Sequence, residues 1–456
     1  MLKPNPGCSE LNSSLLIRKE RLGLILIVLF YAFSIGVGQE FYLSVDQFFW
    51  GFNKPNYDFL TCFFLFFLVM APSTVLPLSL NRPSSIFLYS LVFFVYVPSV
   101  VVALLNYSDS LIRYFWVLTA FCFGVVFCCV IVRSTKYNTE ACRRPSRLLL
   151  CINMFGVFVC FVALYSTYRD VLSFSGLVDI YGQREKGAAT SLFIGYCQVY
   201  LAYVFAPLFF SYGILYKKWF LLAVAIASFF FVYMITAERT VLLLPGALLV
   251  IHVVLRCGAG RWRDIFYLFF ASSILILFIS FYSGSSSIAS QLGTYFFMRL
   301  VAIPGLFVSQ YYDLFSTQGY TYWAHVTGIG SLVDVPAAYA ADPKWPALGK
   351  ILAERVLGVQ SQSNASFVAT DGVAAAGAIG VFAICIANAF WLLILDQAAK
   401  GWNKIFLFTT LFPMAFVVTN ASLFTMLVSF GGLYWLLMLL LDRYKFRFYL
   451  SKEYAQ

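Results

Sequence analysis

Four arginines stand beside apolar runs: Arg184 in "YGQREKGAATSLFIG", Arg239 in "MITAERTVLLLPGALL", Arg299 in "FFMRLVAIPG" and Arg355 in "LAERVLG". A charge at such a place is costly unless something requires it. A guanidinium group binds phosphate oxygens through paired hydrogen bonds and stays charged at any accessible pH. Four of them on separate segments point to an anion site able to hold a phosphate or diphosphate. The plainer reading is that each anchors a helix at an interface, Arg239 pairing with Glu238 and Arg355 with Glu354. Gly195 follows Arg184 by eleven residues, about three helical turns. That spacing predicts one shared helix face on which a lipid-linked or sugar group could approach the backbone closely at the glycine.

Groups able to move a proton lie further on. Asp371, His325 and Glu354 are the candidates for a base acting on a hydroxyl, with no preference among them. Asn364, in "SQSNASF", carries an amide that can orient hydroxyl groups. Tyr311, Tyr312, Tyr320, Tyr322 and Trp323 surround His325 in sequence; such faces stack on sugar rings and also form interfacial belts. There is no CxxC pair, P-loop or HExxH, and with two histidines in the chain no His-rich metal site and no cofactor is expected.

These residues have to be carried by membrane helices. Of 456 residues, 61% are hydrophobic and 11% charged, with mean hydropathy +0.84, whereas soluble domains are about one quarter charged. Apolar runs near 22–38, 58–79, 85–105, 112–132, 148–166, 191–214, 219–236, 241–255, 265–282, 373–396, 405–419 and 421–441 predict an all-α polytopic membrane protein of about 12 transmembrane helices. The last two could form one re-entrant hairpin. The first run is read as a retained helix rather than a cleaved signal. With both termini cytoplasmic, the inner segments hold 21 of the 31 Lys and Arg with seven acids, and the outer segments ten cations with thirteen acids. The net charge of +11 is thereby a topology signal and an attraction to anionic membrane lipid, and nucleic acid is not an expected partner.

Three parts follow: helices 1–9 within 1–282, with an outer loop at 167–190; a large outer loop, 283–371; and helices 10–12 with a basic tail, 372–456. The large loop is long enough to be functional. It contains "SQLGTYFFMRLVAIPGLF", suited to a re-entrant or interfacial helix, and "PKWPALGKILAERVLG", suited to a short amphipathic one. All eleven cysteines fall outside it, so no disulfide framework is expected there.

Many spans, an arginine-bearing third outer loop and a large later loop resemble the Wzy-type O-antigen polymerases, the oligosaccharide repeat-unit polymerases. The resemblance covers roughly residues 165–400. It rests on Arg184 to Gly195 as an R-x10-G arrangement, on "AERT", on "RLVAIPGLFVSQYYDLF" and on "SNASFVATDGVAAAGAIGVF". The family's second R-x10-G motif is absent, since Gln310 follows Arg299 and Ser366 follows Arg355 by eleven residues. The resemblance implies a metal-independent glycosyltransferase of the bacterial inner membrane with its active site facing the periplasm. It would move a growing glycan from undecaprenyl diphosphate to a sugar hydroxyl of another lipid-linked repeat unit. Polymerases of this class often work with a chain-length-regulating co-polymerase. An O-antigen ligase would share the donor, and a loop histidine suits it. A flippase or transporter for lipid-linked oligosaccharides is the reading from another class, though no two related halves are visible.

Overall fold

A computed structural model of the chain describes residues 6–135, 137, 143–174, 180–188, 190–258 and 260–453. Parts of the expected outer segment 167–190, of the basic loop after the fourth apolar run and of both termini lie outside the described residues. Among the described residues there are helices and turns but no strands. The elements that matter are α1 (Arg18–Asp46), α2 (Phe59–Val75), α3 (Pro83–Leu105), α4 (Ser110–Ser134), α5 (Arg147–Tyr168), α6 (Ile180–Lys186) and α7 (Leu192–Leu215), followed by α8 (Trp219–Thr236), α9 (Arg239–Gly258) and α10 (Trp262–Tyr282). After these come α11 (Ser287–Gln318), α12 (Leu348–Arg355), α13 (Val368–Ala398), α14 (Lys404–Val417) and α15 (Leu423–Asp442).

Eleven of these helices are long and apolar enough to cross a membrane, a state in which backbone groups are satisfied within each helix. All twelve predicted runs are helical, but α2 and α14 are shorter than a full span. Polar residues start several of them: Asp58 accepts from Leu60 N and Thr61 N at the head of α2, and Ser191 and Asn403 cap α7 and α14. At the centre is α3, 94% of whose apolar stretch is buried. Tyr31 of α1 stacks on its Phe93 at 4.5 Å, and Phe121 of α4 meets its Tyr96 edge-on at 4.9 Å.

The segment read as a re-entrant or interfacial helix is α11, which is π-helical over Gly293–Ala302. Thr294 near its start pairs with Tyr42 at the C-terminal end of α1 (3.3 Å). Towards its other end, Gln310 donates to Trp50 O (2.7 Å) and Asp313 pairs with Arg113 at the head of α4 (2.7 Å). Both parts of α11 therefore touch the same end of the bundle. Between them Gly305 lies against the backbone of Pro98 and Ser99, a little way down α3.

The amphipathic helix expected over residues 343–358 is α12, which buries Leu348, Ile351, Leu352 and Ala353. The 14 residues of α14 reach about 21 Å at 1.5 Å per residue. Its Phe416 meets Phe94, midway along α3, at 5.7 Å. The reversal from Val418 to Ser422 consequently falls inside the bundle.

Candidate active site

The tenth predicted span is not one continuous helix. At Ala376 (φ −159°, ψ 32°) and Gly377 (φ 58°, ψ −133°) α13 breaks, and Val368–Ala375 folds back along the half that follows. Gly372 packs against Val381 and Ile384, and a Cβ on Gly380 would overlap the Gly372 carbonyl oxygen. Only glycines permit two backbones to come this close. The exposed carbonyls at the break are taken up by the chain leaving α11: Thr321 N donates to Ala374 O (2.8 Å) and Tyr322 N to Ala375 O (2.9 Å). Tyr322 and Trp323 then adopt left-handed backbone (φ 46° and 61°), a conformation costing about 1–3 kcal/mol that persists where surroundings impose it. This turn carries His325 back under the fold.

There His325 meets Asp371, with Nε2 and Oδ1 3.5 Å apart. The Asp371 side chain is fully buried and that of His325 is 7% exposed. Leu423 N, at the head of α15, donates to Asp371 Oδ2 at 2.5 Å, and Phe424 N adds a second bond. The Thr321 hydroxyl donates to Ala374 O (3.2 Å) and also lies 2.9 Å from His325 Nδ1. Thr321 thus bridges the break in α13 and the imidazole, whose other nitrogen, Nε2, faces the Asp371 carboxylate. Among the described residues His325 Nε2, Asp371 Oδ1, the Tyr311 hydroxyl and the Ser366 hydroxyl are buried without a hydrogen-bond partner. Such groups carry a desolvation penalty and cluster where ligands are handled.

His325 and Tyr311 line a cavity of about 570 Å³. Its walls bear two copies of one tripeptide: Asn364 and Ala365 from the first Asn-Ala-Ser, and Asn420, Ala421 and Ser422 from the second. Each tripeptide leads into a half-helix, one at Val368 and one at Leu423. Thr370, Thr425 and Ser429 add hydroxyl groups, and Leu192, Tyr196 and Phe430 add apolar surface.

Phe430 connects this cavity to the first arginines. Its ring meets Tyr203 edge-on at 5.0 Å, and the Tyr203 hydroxyl donates to Glu238 Oε1 (2.7 Å). Burial raises the Glu238 carboxyl above its ordinary range, offset in part by Tyr203 and by the nearby charge of Arg184. The Arg184 helix is held firmly: Gln183 donates to Met234 O (2.7 Å) and Val171 O (3.1 Å), and Gln198 donates to Gly187 O (3.0 Å). A Cβ on Gly187 would collide with Ile235 O. Arg239, adjoining Glu238, lies over the Tyr295 ring at 5.0 Å, and Arg299 is exposed four residues further along α11.

The shared helix face expected for Arg184 and Gly195 is not formed. Helix α6 ends at Lys186 and α7 begins afresh at Leu192 with Ser191 as its cap. A close backbone approach is made by Gly187, where the chain turns against α8. Arg355 and Glu354 are likewise not partners. Arg355 pairs with Asp342 (2.5 Å), donates to Gln318 and lies over Tyr339, whereas Glu354 pairs with Lys344 and accepts from Gln360. Those contacts tie α12 to the loop around it and to the end of α11.

The aromatic group also divides. Tyr311 is buried beside the cavity, Tyr312 packs on Tyr114, Tyr320 sits against Gly377, Tyr322 is exposed and Trp323 forms the turn. Asp313 is engaged by both Arg113 and Tyr114. Thr321, Asn420 and Ser422 were not singled out from the sequence as site residues, and the visible signal for the last two was the second Asn-Ala-Ser tripeptide. Compared with family models, with curated proteins and with solved structures, the chain matches none.

Proposed function

We propose that this protein is a glycosyltransferase of the bacterial inner membrane that extends a lipid-linked glycan, transferring it from undecaprenyl diphosphate to a sugar hydroxyl of another lipid-linked repeat unit on the periplasmic side. The observation carrying this reading is the cavity in which His325, backed by the buried Asp371 carboxylate, meets amide and hydroxyl groups from two Asn-Ala-Ser segments. The Arg184–Glu238–Arg239 corner adjoins it through Tyr203 and Phe430. In the reaction the acceptor hydroxyl oxygen bonds to the anomeric carbon, the bond from that carbon to the diphosphate oxygen breaks, and the hydroxyl proton passes to the His325 imidazole. Asp371 stabilises the imidazolium so formed, and its own position is fixed by Leu423 N. Negative charge grows on the departing diphosphate, and Arg184, Arg239 and Arg299 favour that charge more in the transition state than before it. No step is routed through a metal.

A ligase delivering a finished glycan to a lipid A core is the second reading, favoured by the imidazole in the cavity. Purified protein in nanodiscs with lipid-diphosphate-linked repeat units tests both. A ladder of longer glycans made with repeat units alone supports the polymerase, and product formed only when core lipid is added supports the ligase. Movement of substrate between leaflets with no new glycosidic bond would replace both with a transporter.

A further inference from the structure

The opposite end of the bundle holds a second recess, of about 440 Å³, lined by Glu20, Arg21, Ser79, Arg133, Arg261 and Trp262 among others. Among the described residues no carboxylate lies within 4 Å of any of the three guanidinium groups. Helix capping explains part of this. Arg21 donates to Ser73 O (3.2 Å) and Leu76 O (2.5 Å), and Arg133 to Val75 O (3.2 Å), satisfying carbonyls at the C-terminal end of α2. Each cap uses one terminal nitrogen, Nη1, and leaves Nη2 and Nε for another acceptor. Arg261 is fixed in the same manner, through Nε to Gly258 O (3.3 Å), leaving both of its terminal nitrogens. Capping does not account for a concave site where three cations face one acid.

We infer that this recess binds the phosphate of an anionic membrane lipid, held by Arg21, Arg133 and Arg261 with Trp262 at its rim. Guanidinium groups fixed beforehand lose little freedom when a phosphate arrives, and basic pockets between membrane helices suit anionic head groups. The lipid source is argued from the surface that adjoins the recess. Along α1, Leu22 and Leu26 are each 57% exposed, and along α10 Tyr267 and Phe270 are exposed as well. The two helices touch where Phe30 stacks on Phe270 at 6.2 Å. An apolar track for acyl chains therefore begins where the phosphate would sit.

The test uses full-length protein in a neutral detergent, with short-chain phosphatidylglycerol, short-chain phosphatidylcholine and inorganic phosphate as separate probes. Binding is followed by native mass spectrometry and by the rise in Tm. The expected result is binding of phosphatidylglycerol that the Arg133→Gln/Arg261→Gln double variant weakens about 25-fold, from about fivefold for each cation removed. Glu20→Gln should tighten it, a gain that a damaged fold cannot produce. Phosphatidylcholine should bind far more weakly. If inorganic phosphate binds equally well and responds equally to the variants, the phosphate site stands and the lipid source is replaced by a soluble one. Equal phosphatidylglycerol affinity in wild type, the double variant and Glu20→Gln, with unchanged Tm in the absence of lipid, would overturn the assignment.

Discussion

Asp371→Asn separates the chemistry of the buried carboxylate from its structural task. The asparagine oxygen can still accept from Leu423 N and Phe424 N, and its NH2 group stays beside His325 Nε2. Both half-helices thus keep their connection, and the variant should unfold within about 1–2 kcal/mol of wild type, the scale of a single altered hydrogen bond. The negative charge that stabilises the imidazolium is lost, however. A positioned base contributes about 10²–10⁴-fold to such a reaction, so the elongation rate should fall by at least about 100-fold. Asp371→Ala is the contrasting case. It leaves two backbone donors of a buried helix start unsatisfied, each at about 1–3 kcal/mol, so folding suffers along with chemistry. The assay is elongation of a fluorescent lipid-linked repeat unit in nanodiscs, with Tm measured on the same samples. Wild-type rates from Asp371→Asn would refute the base assignment. Loss of rate with an equal collapse of Tm in both variants would reduce Asp371 to a structural role.

Other outcomes follow from the same geometry. Arg184→Ala should abolish detectable chain growth while the protein still inserts and keeps its Tm, because this side chain is exposed; normal-length polymer would remove it from the site. Glu238 has a raised folded-state pKa, so its contribution to stability is complete below the ordinary glutamate pKa and is lost as pH rises through the folded value. Wild-type Tm should decline over that window, and Glu238→Gln, which still accepts from Tyr203, should flatten the decline. Asn420→Ala and Asn364→Ala should raise KM for the acceptor glycan about 5- to 10-fold each with kcat little changed, as expected for one hydrogen bond of about 1–1.5 kcal/mol. Gly187→Ala should lower stability by roughly 1–3 kcal/mol, read as a drop in Tm, because the added carbon meets Ile235 O.

Hydropathy alone made the helices legible, since an apolar run of about 20 residues has few other fates. It also suggested that α11 is not an ordinary crossing, and its contacts with Tyr42, Trp50 and Arg113 keep both ends together. What hydropathy could not show was the break in α13. "GVAAAGAIGVF" is uniformly apolar, and the reversal depends on the φ of one residue, Gly377, together with two glycines that let the halves touch. The three glycines at 372, 377 and 380 were a usable signal, as was the shortness of the run ending before "TNAS". The site was legible in its residue types but not in its pairings. Adjacent opposite charges such as Glu354 and Arg355 suggested partners, yet neighbours on a helix point to different sides, and each found its partner across the loop. Asp371 and His325 are 46 positions apart, and only the folded-back half-helix and the left-handed turn at Tyr322–Trp323 bring them together.

The most direct test of the central claim is a single-turnover reaction in nanodiscs with a labelled lipid-diphosphate-linked repeat unit, EDTA present, comparing wild type with His325→Ala and Arg184→Ala. Elongated product from wild type alone, with all three proteins folded, is the predicted result. Elongation at the wild-type rate by either variant, or none by folded wild type supplied with intact donor and acceptor, would contradict the account.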